Sequence, residues 1–101
     1  MKTQGKKIGF EWDRGNRTKN VVKHQVTRRE TEEAFYDTRA IIQRDTLHSQ
    51  TEERYILFGK TKGDRLIYVA FTLRGKRIRP ISARDTNRRE VKLYEETTRG
   101  A

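Results

Sequence analysis

The clearest pattern along the chain is an apolar segment followed by one in which apolar residues alternate with arginines. Residues 66–73 are almost wholly apolar or aromatic and contain no breaker, which predicts a central β-strand covered on at least one face. Residues 77–83 alternate, which predicts a second strand. Arg74-Gly75-Lys76 lies between them, and Gly75 tolerates the positive φ angle of a tight turn. The pattern therefore predicts an antiparallel hairpin.

The second predicted strand carries arginines at regular positions. Alternation places one set of side chains on one side (Arg77, Arg79, Ile81, Ala83) and another set on the other (Ile78, Pro80, Ser82). Because Pro80 has no N–H group, it must lie at an edge, a bulge or an unpaired position. Arginines held on a rigid sheet are well suited to bind phosphate through their planar donor groups.

The flanking segments predict shorter elements. Residues 8–12 alternate as a half-buried strand, residues 13–16 form a turn, and Asn16 or Thr18 begins a helix that ends near His24. Thr27 and Glu30 have capping-box spacing, which predicts a second helix over residues 28–36. The remaining elements are a short strand or extended connection at 40–43, a strand at 53–58, and a helix at 88–96 that starts after Asn87.

This order of elements predicts an α+β fold. We expect a small antiparallel sheet of about four strands, two N-terminal helices packed on one face, and a C-terminal helix, in the order β-α-α-β-β-β-α. The other sheet face is expected to be open to a partner or substrate. The 101 residues are enough for one domain, with loose tails at 1–6 and 97–101.

Charge narrows the class of partner. The chain has 24 Lys and Arg against 14 Asp and Glu, a formal net charge of +10 that favours polyanions, with RNA first. Seven of the basic residues lie between Arg74 and Arg89, where Asp85 is the single acid. There is no cysteine, so disulfides and thiolate metal sites are excluded. The sequence shows neither a signal peptide nor a membrane-spanning run, so we expect a cytoplasmic protein.

Six short motifs together resemble one family. They are FEWD at 10–13, NVVKHQV at 20–26, EEAF at 32–35, EERY at 52–55, FTLRG at 71–75 and ISAR at 81–84. In this order and spacing the chain resembles the BrnT family, RelE-like ribonuclease toxins of type II toxin–antitoxin systems. Gln25, where the family usually has glycine, and Asn16, where lysine is common, depart from the family pattern.

The resemblance implies an activity and a partner. It implies metal-independent cleavage of single-stranded RNA, with no cofactor, by a toxin that a BrnA-like ribbon-helix-helix antitoxin neutralises. Promoter DNA would be bound only through the antitoxin complex. Attack by a 2′-hydroxyl group needs a base, an acid and cations around the phosphate. The candidate catalytic residues are Lys23, His24, Arg74, Arg79 and Arg84, and the candidate RNA-binding residues are Arg54, Lys76, Arg77, Arg88, Arg89 and Lys92.

Other interpretations of these residues stay open. His24 can simply end a helix, and the arginines can form ordinary ion pairs with Glu53, Glu90 or Asp85. The two histidines, His24 and His48, are far apart in sequence and show no metal-ligand spacing with the acids. A non-catalytic module that binds RNA or DNA through the same basic sheet is the alternative function; it would bind RNA without yielding a product.

Overall fold

A five-stranded mixed sheet forms the body of the protein. The computed structural model describes residues 8–16, 24–47 and 51–100. The strands are β1 (Gly9–Phe10), β2 (Ile41–Arg44), β3 (Arg54–Lys60), β4 (Leu66–Arg74) and β5 (Arg77–Asp85). Their order across the sheet is β1-β5-β4-β3-β2, with β1 parallel to β5 and the other pairs antiparallel. The predicted α+β class is confirmed, but the expectation of about four antiparallel strands is wrong.

The fifth strand and the parallel pair have simple causes. The sequence of residues 40–43 was compatible with a short strand or an extended connection. The backbone pairing of Ile41–Arg44 with β3 shows that this segment is a strand. The parallel pair arises because β1 enters the sheet beside β5, at the edge opposite β2. No pattern within β1 specifies which strand it will join.

The predicted hairpin is present as β4 and β5. Gly75 in its turn has a φ angle of 63°, as expected for a residue without a side chain. On β4, Val69 and Phe71 face the hydrophobic core, while Ala70 and Thr72 face the opposite side of the sheet. The core-facing side is nearly closed to solvent, since Ile67 and Val69 are both 0% exposed.

A β-bulge interrupts β5 at Pro80. Phe71 pairs with Pro80 and Ala70 pairs with Ser82, so Ile81 has no partner in the ladder. The extra residue reverses the alternation beyond it. The predicted grouping of Ala83 with Arg77 and Arg79 is therefore wrong, because Ala83 lies in the core. The prediction that Pro80 sits at a bulge or unpaired position is confirmed.

Two helices are described, α1 (Arg28–Ala34) and α2 (Arg88–Gly100). The predicted capping box of α1 is present: Thr27 N–H donates to Glu30 Oε1 and Glu30 N–H donates to Thr27 Oγ1, both at 3.0 Å. Helix α1 ends two residues earlier than predicted. Helix α2 starts as predicted, with reciprocal bonds between Asn87 and Glu90, but it continues through 97–100, which were expected to be a loose tail.

The predicted first helix cannot be compared in full. Residues 17–23 lie outside the described residues, and so do the predicted N-terminal tail residues 1–6. Of the two N-terminal helices expected, the structure describes one, α1, which packs on β3 and β4. Gly59 allows this close packing, because a Cβ atom there would stand 2.4 Å from the carbonyl oxygen of Ala34.

The second sheet face is only partly open. Phe58 and Ala70, which face away from the core cluster, are 4% and 5% exposed. On the same face Arg84 forms an ion pair with Glu90 in the first turn of α2. The sequence analysis expected this second face to be open. That expectation is wrong near α2, and it holds only toward the hairpin turn.

Asp37 ties α2 to the rest of the molecule. Its Oδ2 accepts hydrogen bonds from the Tyr94 hydroxyl group at 2.6 Å and the Lys60 N–H at 2.8 Å, and its Oδ1 accepts from the Arg39 N–H at 2.9 Å. Burial by itself would raise the pKa of Asp37, but these bonds outweigh it and hold the pKa below the usual 3.8. Burial and the Asp37 carboxylate raise the pKa of Tyr94 to about 12.

Asp37→Asn is expected to destabilise the fold by about 1–3 kcal/mol at neutral pH, because charge-assisted hydrogen bonds to a carboxylate are lost. Because the pKa of Asp37 is lower in the folded than in the unfolded protein, its carboxylate stabilises the fold at pH values above the unfolded-state pKa. This contribution disappears as the pH falls through the folded-state pKa. Urea denaturation at neutral and strongly acidic pH checks this. Asp64→Asn, at an exposed position, is the control; an equal loss in both variants, or a loss that persists in acid, would contradict the prediction.

Gln25 has a left-handed backbone conformation with a φ angle of 57°. The carbonyl group of Gln25 accepts a hydrogen bond from Arg65 Nη1 at 3.1 Å, which holds this backbone in place. Non-glycine residues are strained here because Cβ approaches the carbonyl oxygen. A glutamine in this conformation therefore has a cost in stability.

Gln25→Gly is accordingly expected to stabilise the protein by about 0.5–1 kcal/mol, since relief of strain exceeds the greater chain entropy of glycine. Thermal unfolding monitored by circular dichroism measures the effect. Gln25→Ala keeps Cβ and serves as the control, so an equal gain in the alanine variant would show that strain is not the cause.

Candidate functional site

A concave pocket opens beside the turn of the β4–β5 hairpin. Its volume is about 240 Å³. Three arginines contribute to its wall, together with polar and apolar residues from β4, from β5, from the turn after β1 and from the segment before β3. The lining residues are Gly15, Asn16, Glu52, Arg54, Thr72, Arg74, Arg79, Pro80 and Ile81. The pocket brings together three of the residues predicted from the sequence, Arg54, Arg74 and Arg79.

Strand register aligns two of these arginines. Arg54 pairs with Thr72 across β3 and β4, and Thr72 pairs with Arg79 across β4 and β5. Directly paired residues point to the same face of a sheet. Thr72 is 1% exposed and its hydroxyl group donates to the Glu53 carbonyl oxygen at 2.7 Å. Two arginines thus flank a short, fully hydrogen-bonded side chain on a rigid surface.

Asn16 attaches the preceding turn to the β5 bulge. Its side chain is buried, and Nδ2 donates to the carbonyl oxygens of Pro80 at 2.8 Å and Glu11 at 3.1 Å. Its Oδ1 accepts from the Asp13 N–H at 2.7 Å. These bonds place Asp13 beside Arg79. The sequence suggested Asn16 only as a turn residue or a helix cap. The Asp-Arg-Gly-Asn turn was the one sequence feature that pointed to a structural role for this residue.

Carboxylates hold two of the pocket arginines. Arg79 donates to Asp13 at 2.7 and 3.2 Å and to Glu11 at 3.1 Å. Arg74 donates to Glu52 at 2.7 Å and to Glu11 at 3.4 Å. The hydrogen bond from Arg79 is the main cause that lowers the pKa of Asp13, and that from Arg74 the main cause that lowers the pKa of Glu52. Arg74 and Arg79 therefore do form ion pairs, as the alternative interpretation of the sequence expected. Their partners, however, are not the acids that were expected.

Arg84 lies on the same sheet face but away from the pocket. It pairs with Tyr68, whereas Arg79 pairs with Thr72, so the two arginines are roughly 13 Å apart along β4. The Arg84 guanidinium stacks 3.8 Å from the Tyr68 ring centroid and binds both Glu90 carboxylate oxygens at 2.9 Å. Here the expected ion pair with Glu90 is present.

The other predicted site residues occupy separate positions. The pKa of Asp85 is lowered chiefly by a hydrogen bond from Arg65. His24 lies close enough to Asp85 to lower that pKa further. His24 does not line the pocket. Lys23 and His48 lie outside the described residues. The candidate RNA-binding residues beyond Arg54 are exposed around the hairpin turn and on the first turns of α2: Lys76, Arg77, Arg88, Arg89 and Lys92.

Within the described ranges, no group of three or more His, Cys, Asp or Glu side chains is arranged to hold a metal ion. The described helices are also too short or too polar to cross a membrane. The side chains that line the site present guanidinium groups and a carboxylate group around a concave surface. Such a surface can bind an oxyanion through the paired donors of its planar guanidinium groups, and phosphate is the common biological example.

The family comparison agrees with this chemistry. Residues 12–90 match the family model described as "Ribonuclease toxin, BrnT, of type II toxin-antitoxin system". No curated protein matches the chain significantly. The match covers most of the chain and includes every pocket residue. The chain belongs to the BrnT family of type II toxin–antitoxin ribonuclease toxins.

Proposed function

We propose that this protein cleaves single-stranded RNA without a metal ion, and that the scissile phosphate binds in the pocket beside the hairpin turn. The observation that carries the proposal is the convergence of Arg54, Arg74 and Arg79 on one concave surface. A 2′-hydroxyl group of the RNA would attack the adjacent phosphorus atom. Single-stranded RNA suits this reaction because its backbone can adopt the in-line geometry.

Strand pairing and ion pairs fix the positions of the pocket arginines before any phosphate binds. Cleavage adds negative charge to the phosphate oxygens in the transition state, and preorganised guanidinium groups stabilise that charge. Arg79 is positioned by strand pairing and by two carboxylates, with only 18% of its side chain exposed. Arg74 is more accessible, with 47% of its side chain exposed. Exposed ion pairs contribute only about 0–1 kcal/mol, so a phosphate can displace such a partner at low cost.

Arg84 and His24 remain candidates outside the pocket, and Lys23, which lies outside the described residues, stays a prediction. Arg84 is too far along β5 to hold the phosphate that Arg79 holds, so in this proposal it contacts another phosphate of the same strand. Lys76, Arg77, Arg88, Arg89 and Lys92 supply general affinity, which the net charge of +10 strengthens. The histidine lies near Asp85, at the end of β5 far from the hairpin turn.

The proposal includes a partner and a compartment. As a member of this toxin family the protein has an antitoxin partner and an RNA substrate. We propose that the antitoxin is a BrnA-like ribbon-helix-helix protein, that the pair binds promoter DNA only as a complex, and that both act in the cytoplasm. The match to the family is what supports these points.

Purified protein is expected to cleave a labelled single-stranded RNA in the presence of EDTA. The product should end in a 2′,3′-cyclic phosphate or 3′-phosphate, with a 5′-hydroxyl group on the other fragment. An RNA of the same sequence with 2′-deoxy nucleotides should bind but stay intact, because it lacks the nucleophile. Binding without any product from the unmodified RNA would favour the non-catalytic RNA-binding module instead.

Arg79→Ala is expected to lower the cleavage rate by about 100- to 1,000-fold, the usual effect of removing one group that stabilises transition-state charge. Circular dichroism should show an intact fold. Arg44→Ala is the matched control, because Arg44 lies on edge strand β2 and binds Glu53 at an exposed position. Equal rates in the two variants would remove Arg79 from the site. Cleavage by a variant with alanine at Lys23, His24, Arg79 and Arg84 would contradict that assignment as a whole.

A further inference from the structure

The pocket wall contains a carboxylate next in sequence to the start of β3. Glu52 is 42% exposed at its side chain and is one of the pocket-lining residues. The other lining residues are arginines, neutral polar residues or apolar residues. Arginine stays protonated in proteins, and threonine and asparagine do not take up a proton in water. Among the described residues that line the pocket, Glu52 alone is an ionised acid at neutral pH and can therefore act as a proton acceptor.

The neighbouring acids are placed differently. Glu11 and Asp13 bind Arg79, but neither belongs to the pocket lining. Glu53 points to the edge of the sheet, where both its carboxylate oxygens bind Arg44. The position of Glu52 is therefore distinct from those of the other described acids nearby.

We infer that Glu52 is the general base that takes the proton of the attacking 2′-hydroxyl group, an inference that rests on the function proposed above. A base must come within hydrogen-bond reach of the proton that it removes. A phosphate held by Arg74 and Arg79 would place its neighbouring ribose in the same pocket of about 240 Å³ as the Glu52 carboxylate. The geometry supplies two requirements of the reaction, cations for the phosphate and a proton acceptor beside it.

Arg74 couples substrate binding to the basicity of Glu52. In the free protein its Nε donates to Glu52 Oε2 at 2.7 Å, and this bond favours the ionised carboxylate. A phosphate that takes over Arg74 removes this partner and brings a negative charge close to Glu52. Both changes favour protonation of the carboxylate, so the bound substrate makes Glu52 a stronger base.

The proposed step balances in atoms and charge. The 2′-oxygen forms a bond to phosphorus as its proton passes to Glu52, and the bond from phosphorus to the 5′-oxygen breaks. The 5′-oxygen takes a proton from water, and Glu52 returns its proton to the solvent. The products are a 2′,3′-cyclic phosphate and a 5′-hydroxyl group, and no metal, oxidant or further reactant is consumed.

Glu52→Gln is the direct test, because it keeps the size of the side chain and removes its ability to accept a proton. The single-turnover cleavage rate of a labelled single-stranded RNA is expected to fall by about 100- to 10,000-fold. Affinity for a 2′-O-methyl RNA, measured by fluorescence anisotropy, should be unchanged or higher, because Arg74 loses a competing anion. Loss of rate without loss of affinity separates a base from a residue that only supports the fold.

The pH profile gives a second readout. Charged groups facing Glu52 are Arg74, which binds it, Arg54 and Arg79 in the pocket wall, and Glu11, which shares Arg74. In the wild-type protein the rate should fall in acid as Glu52 becomes protonated. In the Glu52→Gln variant the levelling of the rate above this titration should be absent, and the remaining, slower rate should instead rise continuously with hydroxide concentration.

Glu53→Gln is the matched control, since it makes the same change one residue away and outside the pocket. We expect it to keep the wild-type rate and acid limb. A Glu52→Gln rate within about threefold of wild type, an equal loss in both variants, or a wild-type titration step with its plateau that survives in Glu52→Gln would overturn the inference while leaving the ribonuclease proposal standing. Absence of cleavage by the wild-type protein would instead overturn the proposed function itself.

Discussion

The missing N–H group of Pro80 shapes the whole site. A residue that cannot donate to the sheet ladder is accommodated at a bulge, and here the extra residue is Ile81. The bulge reverses the alternation of β5, so Ala83 enters the core and Arg84 turns to the face that carries Arg79. The carbonyl group of Pro80 in turn accepts the Asn16 side chain. A single backbone feature thus determines which residues face the core and where the preceding turn is attached.

The pocket is electrically balanced in spite of the basic chain. Three arginines lie in its wall, and three carboxylates (Glu11, Asp13, Glu52) bind or border them, so their formal charges cancel. The carboxylates stop the guanidinium groups from repelling one another and hold them in defined positions without substrate. The excess of positive charge lies elsewhere, including exposed residues of the hairpin turn and α2. In the function proposed above, long-range attraction of a polyanion and local binding of one phosphate would therefore come from different residues.

The sheet beneath the pocket is held in place by hydrogen bonding and core packing. Thr72, at the base of the pocket, is buried and hydrogen-bonded to the β3 backbone, and the core behind it contains Phe71 and Val69. The rings of Phe10, Phe35 and Phe71 form successive edge-to-face contacts with centroids 5.4 and 5.0 Å apart, which connect β1 and the end of α1 to β4. Helix α2 is attached through the ion pair of Glu90 with Arg84 and through Tyr94, whose ring is buried and whose hydroxyl group binds Asp37.

The sequence by itself determined the local elements, because their causes are local. The β4–β5 hairpin follows from an apolar run and Gly75, and the starts of both helices follow from caps at Thr27 and Asn87. Motifs spread over most of the chain were enough to indicate the family, which the family match confirms. Arg54, Arg74 and Arg79 were also named from the sequence, although as members of a longer set.

Only the tertiary structure decided which of those residues meet. The parallel entry of β1, the strand formed by Ile41–Arg44 and the bulge at Pro80 depend on partners distant in sequence. Those pairings put Glu52 in the pocket and leave Arg84 roughly 13 Å along the sheet from Arg79. Spacing along a chain specifies the face of a single regular strand, but a one-residue bulge reverses that face, and register between strands is set by the energy of the assembled core.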